Sequence, residues 1–267
     1  AEKLRLPNEY LNESHVQGYY GTVSHNTKAV FTKYLGWYDG NPANLNPLPP
    51  VESAQKYVEY MGGTTELIAK ATKAFEEGDY RWVVQVMNHA VFADPANAEV
   101  RNLQADAFEQ LGYQSESGTW RNAYLTAARE LRYGPLRIPA SMGRQIAHAI
   151  TIDQLFDMIG VRFNPEKFNH GPSRINWHFS DLGEDHVLGI QRSTIHHDPN
   201  TSDDKAEAAV TTTRKVISQI LGGQKSLNEV LEEGDFDILG NQLVVKAFFD
   251  SLESFITAPL IEPNSNE

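Results

Sequence analysis

The chain has 267 residues, room for one large domain or two ordinary ones, and 40% of them are hydrophobic, enough to fill real cores. Its 23 basic residues face 35 acidic ones, and the net charge of −12 repels a phosphate backbone at long range, which argues against nucleic acid as a partner. There is no cysteine, so disulfide scaffolds, thiolate nucleophiles and cysteine zinc sites are excluded, while the redox compartment stays open; no apolar run approaches the about 18 residues of a membrane span. Ala1–Tyr10 is polar and shows no signal peptide, a pattern that a mature, processed or truncated product shares.

Residues 1–50 are rich in Asn, Pro, Gly and Tyr. Ala29, Val30, Phe31 and Tyr34 are spaced as in a short amphipathic helix over Lys28–Tyr34. Gly36-Trp37-Tyr38-Asp39-Gly40-Asn41-Pro42 breaks it, and Asn46-Pro47-Leu48-Pro49-Pro50 is extended by proline constraint. Residues 51–133 read as helices with few breakers. Gly78-Asp79-Tyr80 is followed 34 residues later by Gly112-Tyr113-Gln114, and Ala71 by Ala105. That period resembles the tetratricopeptide family, with Asp94-Pro95 where its terminal proline stands; Tyr124 and Arg129 break the pattern in the second unit. About two helical hairpins and a closing helix near Trp120–Tyr133 are expected, and so few units should pack on something else.

Two prolines within Gly134–Ala140 mark a linker. Beyond it, Ile152, Leu155, Phe156 and Ile159 recur at helical spacing over Thr151–Ile159. Ile175, Trp177 and Phe179 alternate as in a strand, Val187, Leu188 and Ile190 suggest a second, Gln191–Ile195 a third or its turn, and Ala209–Ile217 a later one. Helices are expected at Lys225–Glu232 and Leu243–Ile256, with Gly234-Asp235-Phe236-Asp237 between them. A helix, antiparallel strands and further helices form an α+β layer with one covered face.

Nine histidines bring metal binding forward first. His196-His197 lies beside Asp198, but neighbours on a strand point to opposite faces, so one ion rarely takes both, and neither HExxH nor HxHxDH is present. The pair reads as a polar turn. His89 falls among Val86, Ala90 and Phe92 and reads as packed between helices; His148 and His178 read as structural. GxSxG is absent. Glu76-Glu77 and Glu232-Glu233-Gly234-Asp235 read as solvated faces, and Gly62-Gly63 and Gly222-Gly223 as helix ends. The densest chemistry lies in Gly18-Tyr19-Tyr20-Gly21-Thr22-Val23-Ser24-His25-Asn26, where phenols, hydroxyls, an imidazole and an amide offer neutral donors on a mobile backbone. Neutral donors suit an oxyanion such as sulfate, since they bond it without burying a charge; the other reading is a turn whose aromatics pack into a neighbouring domain.

That run, with Lys28-Ala29-Val30 and Tyr34-Leu35-Gly36-Trp37-Tyr38-Asp39-Gly40-Asn41-Pro42, resembles the alkylsulfatases of the metallo-β-lactamase superfamily. Tyr80-Arg81-Trp82-Val83, Asn88-His89, Phe92-Ala93-Asp94-Pro95, Gln110-Leu111-Gly112-Tyr113-Gln114 and Ser117-Gly118-Thr119-Trp120-Arg121-Asn122 continue the likeness over about residues 15–135. Residues 140–260 are more loosely similar to that family's C-terminal, sterol-carrier-protein-like domain. The resemblance implies an N-terminal β-lactamase-like domain that holds two zinc ions and cleaves alkyl sulfates such as dodecyl sulfate, a helical dimerisation domain, and a C-terminal domain with an apolar groove. Only the last two are expected here: 1–50 packing on the catalytic domain, 51–135 dimerising, and 140–262 forming the α+β domain. With HxHxDH absent, no zinc ligand carries over to this chain. The resemblance further implies a homodimer and a tyrosine from the start of the helical region that reaches the sulfate, Tyr19, Tyr20 or Tyr38; a periplasmic or secreted setting is expected, Tyr20 is taken as the catalytic phenol, and Tyr19, Tyr20, Tyr38 and His25 as substrate-binding residues. Phe156, Ile159, Phe163, Trp177, Phe179, Val244, Phe248 and Phe249 are expected to line a groove for an alkyl chain or fatty alcohol, or else to be packed core. The rival reading is a non-catalytic dimeric module that binds a hydrophobic ligand or a protein partner.

Overall fold

Side-chain caps set most of the helix starts in the computed structural model, which describes residues 1–137, 150–254, 257–258 and 260–261. Two units are formed: Ala1–Leu136 together with the chain's end from Ala258, and Arg137–Thr257.

The first unit is helical. Thr22 caps α1 (Val23–Leu35) by accepting from the His25 amide, so the helix begins five residues earlier than the apolar spacing indicated. Pro50 occupies the first turn of α2 (Pro50–Tyr60), where its missing N–H costs nothing. α3 (Thr64–Glu76) follows Gly62 and Gly63, the helix end expected there, and α4 (Tyr80–Ala93) follows Gly78. Asn97 caps α5 (Ala98–Gln114) and Ser117 caps α6 (Gly118–Tyr133). Val58, Leu67, Ala71, Val83, Met87, Val91, Val100, Ala105 and Leu131 pack into one core between these helices. The two glycines of the 34-residue spacing do different work. Gly78 has φ +83° and turns the chain, whereas Gly112 lies inside α5, where a Cβ would stand 2.8 Å from Leu125 of α6. The second glycine serves a close helix crossing, a physical reason for the decay of the pattern after Ala105.

Glu130 on α6 is buried, at 2% exposure, and accepts from two backbone N–H groups of the chain's end. Leu260 N lies 2.9 and 2.8 Å from its two oxygens, and Ile261 N lies 3.0 Å from one of them. Ile261 also packs on the helical core. These residues fall with the helical unit, whereas the sequence reading gave them to the α+β domain. Arg101 of α5 donates to the carbonyls of Leu131 at 2.7 Å and Glu130 at 3.3 Å, and Arg132 grips Glu109 and Asp106 at 2.5 Å each, contacts that raise its pKa.

In the second unit Thr151 and Gln154 form a reciprocal cap on α7 (Ile152–Arg162). The five-stranded sheet runs β4 (Thr194–Pro199), β3 (Glu184–Gln191), β2 (Ser173–Phe179), β5 (Ala208–Thr212), β6 (Phe236–Gly240). β3 and β4 join through Arg192 and Ser193, both at positive φ. The sheet is mixed rather than antiparallel, because β5 pairs with β2 in parallel, Trp177 opposite Val210. The strand expected over Ala209–Ile217 stops at Thr212, since Thr213 caps α8 (Arg214–Leu221). Ser226 caps α9 (Leu227–Glu233), the helix expected over Lys225–Glu232. β6 was read only as the break between two helices, and α10 (Gln242–Asp250) ends earlier than anticipated; residues 255 and 256 of that expectation lie outside the described ones. Leu136–Arg137 (β1) and Thr257–Ala258 (β7) pair as a separate two-stranded ribbon. Among the described residues there are ten α-helices, and none is long and apolar enough to cross a membrane.

Candidate functional site

The Tyr19–Tyr20 turn is pinned rather than mobile. Gly118 N donates to Tyr19 O at 2.7 Å, and Ser117 Oγ and Thr119 Oγ1 both donate to Tyr20 O, at 2.7 and 2.9 Å. The N-terminus of α6 thus takes the two backbone carbonyls and leaves the side chains outside, Tyr19 at 58% and Tyr20 at 81% exposure. Trp120 Nε1 donates to His25 Nδ1 at 3.1 Å, and the two rings meet edge to face at 6.0 Å. With Nδ1 accepting, a neutral His25 carries its proton on Nε2. Two exposed phenols therefore stand on a turn whose backbone is anchored to α6, and the exposed His25 follows in the first turn of α1.

Tyr38 is not brought to that turn. It follows α1, whose thirteen residues span about 20 Å. There it is half-buried against Trp37, with ring centroids 5.6 Å apart. Asp39 organises this loop: Asn41 N donates to it at 2.9 Å and Asn44 Nδ2 at 2.6 Å, and these bonds hold its carboxyl below the usual range. α1 buries none of its residues; Val30, Phe31, Tyr34 and Leu35 are exposed, as is Trp37 beyond it.

Ser117, Thr119 and Trp120 belong to the run that carries the family likeness, and their part in holding the turn is a finding of the structure. The signal for them was a Ser three residues before a helical Trp, a cap pattern; their pairing with Tyr20 and His25 spans more than 90 residues and is not visible in spacing.

The eight expected groove residues do converge, but as packed core. Phe156, Ile159, Trp177, Phe179, Val244 and Phe248 are each at most 2% exposed. Only Phe163 and Phe249 keep some surface, and they pack against the same cluster. The helical and alternating spacings that suggested a groove put these side chains on the inner face of α7, β2 or α10, with Phe163 just past the end of α7.

His196 and His197 point to opposite sides of β4, as the strand argument required. His196 lies over Gly189, whose Cβ would fall 2.2 Å from its ring, while His197 faces Asp153 at 3.3 Å. His89 stacks on Tyr57 at 4.4 Å, and burial lowers its pKa. His178 has an ion-pair partner, Asp185 at 2.8 Å, that sequence did not supply; His148 lies outside the described residues. Among the described residues no group of three His, Asp or Glu side chains is placed to hold a metal ion.

Comparison with known proteins defines the class. Residues 1–134 match the family "Alkyl sulfatase dimerisation" and residues 140–258 the family "Alkyl sulfatase C-terminal". The chain belongs to the alkylsulfatase family over these segments. It is 43% identical over 267 residues to "Alkyl/aryl-sulfatase BDS1" of Saccharomyces cerevisiae, covering 98% of this chain and 41% of that protein. It is 40% identical over 255 residues to an "(R)-specific secondary-alkylsulfatase" of Pseudomonas sp., covering 96% of this chain and 38% of the relative. The solved structure of the stereoselective inverting sec-alkylsulfatase Pisa1 from Pseudomonas sp. superposes with a TM-score of 0.83 at 40% identity, over 97% of this chain and 41% of that one. The chain thus spans about two fifths of the length of the relatives it matches.

Proposed function

We propose that the chain is the C-terminal portion of a zinc-dependent alkylsulfatase that hydrolyses alkyl sulfate esters such as dodecyl sulfate to alcohol and sulfate, in a periplasmic or secreted setting. Zinc would be held by an N-terminal β-lactamase-like domain and would supply the activated water; the residues described here offer no site that fits it, and this chain alone is inactive. Its own part is to dimerise, to present a phenol to the sulfate and to hold the alkyl chain.

The observation that carries this reading is the pinned turn. The backbone carbonyls of Tyr19 and Tyr20 are taken by the start of α6 and His25 Nδ1 by Trp120, which leaves both phenols and the other imidazole nitrogen available to a ligand. In the assembled enzyme this turn, together with residues 1–50, packs on the catalytic domain, and Tyr20 donates to a sulfate oxygen or to the leaving alkoxide. The exposed apolar side chains of α1 support such packing. Tyr19 and His25 flank the sulfate; Tyr38, about 20 Å along α1, lines the more apolar approach. Phe163 and Phe249, the two groove candidates that retain surface, mark where an alkyl chain meets the sterol-carrier-like unit. In the full-length enzyme Tyr20→Phe is expected to lower kcat for dodecyl sulfate about 100-fold with a smaller change in KM, the pattern of a donor used in the transition state. Unchanged kcat would remove Tyr20 from the mechanism.

Dimerisation has its own test. At micromolar concentration the 267-residue chain is expected to sediment at twice its 29.9 kDa mass, because the outward apolar side chains of the helical unit seek a partner surface. A monomer at about 50 μM, a concentration at which micromolar affinities saturate, would contradict it.

A further inference from the structure

Four consecutive residues at the start of α6 each donate a hydrogen bond to the stretch from Tyr19 to His25. Ser117 and Thr119 donate to Tyr20 O, Gly118 to Tyr19 O, and Trp120 to His25. The first three bonds end on backbone carbonyls. Of the four, only Trp120 reaches a side chain of that stretch, and that side chain is one the proposed function sets beside the sulfate. The Trp120 amide donates to the capping Ser117 Oγ at 3.4 Å, so the indole leaves α6 from its capped first turn.

An indole N–H donates and cannot accept. The 3.1 Å bond therefore requires a lone pair on His25 Nδ1, and a neutral ring then carries its one proton on Nε2. The bond also sets which way round the ring stands. Turned over about Cβ–Cγ, the ring would put Cδ2, a carbon with no lone pair, against the indole. The two rings meet edge to face at 6.0 Å, while His25 as a whole stays exposed. At the backbone, Thr22 Oγ1 accepts from the His25 amide at 3.0 Å. His25 is thus held at two points, its amide by the cap of α1 and its Nδ1 by α6.

We propose that Trp120 is the positioning residue of His25: it selects the tautomer and the ring orientation that offer Nε2–H to a sulfate oxygen. Trp120 does not itself touch the substrate. The inference rests on the role that the proposed function gives His25. The unesterified oxygens of an alkyl sulfate only accept hydrogen bonds, so a ring with its proton on Nδ1 would set a lone pair of Nε2 against theirs. Trp120→Phe keeps an aromatic ring beside His25 and removes the donor.

Nitrogen-15 NMR of the 267-residue chain, labelled at His and Trp and held at about pH 8, above the usual imidazole range, reads the tautomer. His25 Nδ1 is expected at the shift of a lone-pair nitrogen, coupled across the hydrogen bond to Trp120 Nε1. In Trp120→Phe the coupling should vanish and Nδ1 should move toward the protonated shift as the second tautomer fills. Nδ1 protonated in the parent chain, or unmoved in Trp120→Phe, would overturn the inference. Turnover of dodecyl sulfate by the full-length enzyme reads the consequence. Trp120→Phe is expected to lower kcat/KM about 5- to 10-fold, within the range of one net hydrogen bond. It should add nothing in a His25→Ala background, because it acts through that ring. A Trp120→Phe loss of equal size with His25 already removed would mark a structural role and overturn the positioning. His25→Ala at the parent rate would strike the role of His25 in the proposed function and the inference with it, whereas a loss in His25→Ala with Trp120→Phe at the parent rate would strike the inference alone.

Discussion

Trp177→Ala is expected to destabilise the α+β unit by about 3–5 kcal/mol, the cost of emptying a large aromatic site in a closed core. The indole is 2% exposed and meets Phe156, Phe179, Phe236, Phe248 and Phe249 at centroid distances of 5.7 to 6.2 Å. Nothing on the opposite side can collapse into the gap, because each neighbouring ring is already held by another ring. Trp177→Phe should cost far less. Nε1 has no hydrogen-bond partner, so losing it removes an unpaired buried donor and offsets part of the lost contact area. Denaturation of the chain with a probe on this unit checks both variants. A Trp177→Ala cost near zero would show that these aromatics line an open groove after all.

Glu130→Ala is expected to weaken the helical unit by about 3 kcal/mol or more. Two backbone N–H groups, from Leu260 and Ile261, lose a charged acceptor, and hydrogen bonds to a charged group contribute about 1.5–3 kcal/mol each. The loss also releases Ile261 from the core. Glu130→Gln keeps one carbonyl oxygen and should fall between. Because the acceptor lies on α6 and the donors near the chain's end, truncation before Leu260 should reproduce most of the Glu130→Ala effect in thermal unfolding. A truncated chain as stable as the parent would show that the carboxylate stabilises α6 by some other route.

The elements whose signals are local were legible in the sequence. α7, β2 and β3 fall where Ile152–Ile159, Ile175–Phe179 and Val187–Ile190 placed them, since their apolar spacing matches the period of the element. The first hairpin of the helical unit followed from Gly78 and Asp94-Pro95. β6 was missed because Phe236–Gly240 is short and lies between two helical patterns, and its partner β5 is more than 20 residues away. The parallel pairing of β2 with β5 is a matter of long-range topology that alternation cannot express. At the site, the donor-rich turn was read as mobile, whereas its backbone is anchored. What holds it is a pair of backbone carbonyls, which carry no residue identity, and hydroxyls about a hundred positions on. The aromatic set of the second unit was found as a set, but periodicity reports which residues share a face and not whether that face is closed by another element. His197 likewise read as a turn residue; its partners Asp153 and Asp157 lie about forty positions earlier.

Sulfate release from dodecyl sulfate, measured with the complete gene product in the presence of zinc and with residues 1–267 alone in parallel, tests the assignment most directly. The account predicts steady hydrolysis by the complete protein and none by the 267-residue chain. Zinc-dependent turnover by the 267-residue chain, or no turnover by the complete protein, would contradict it.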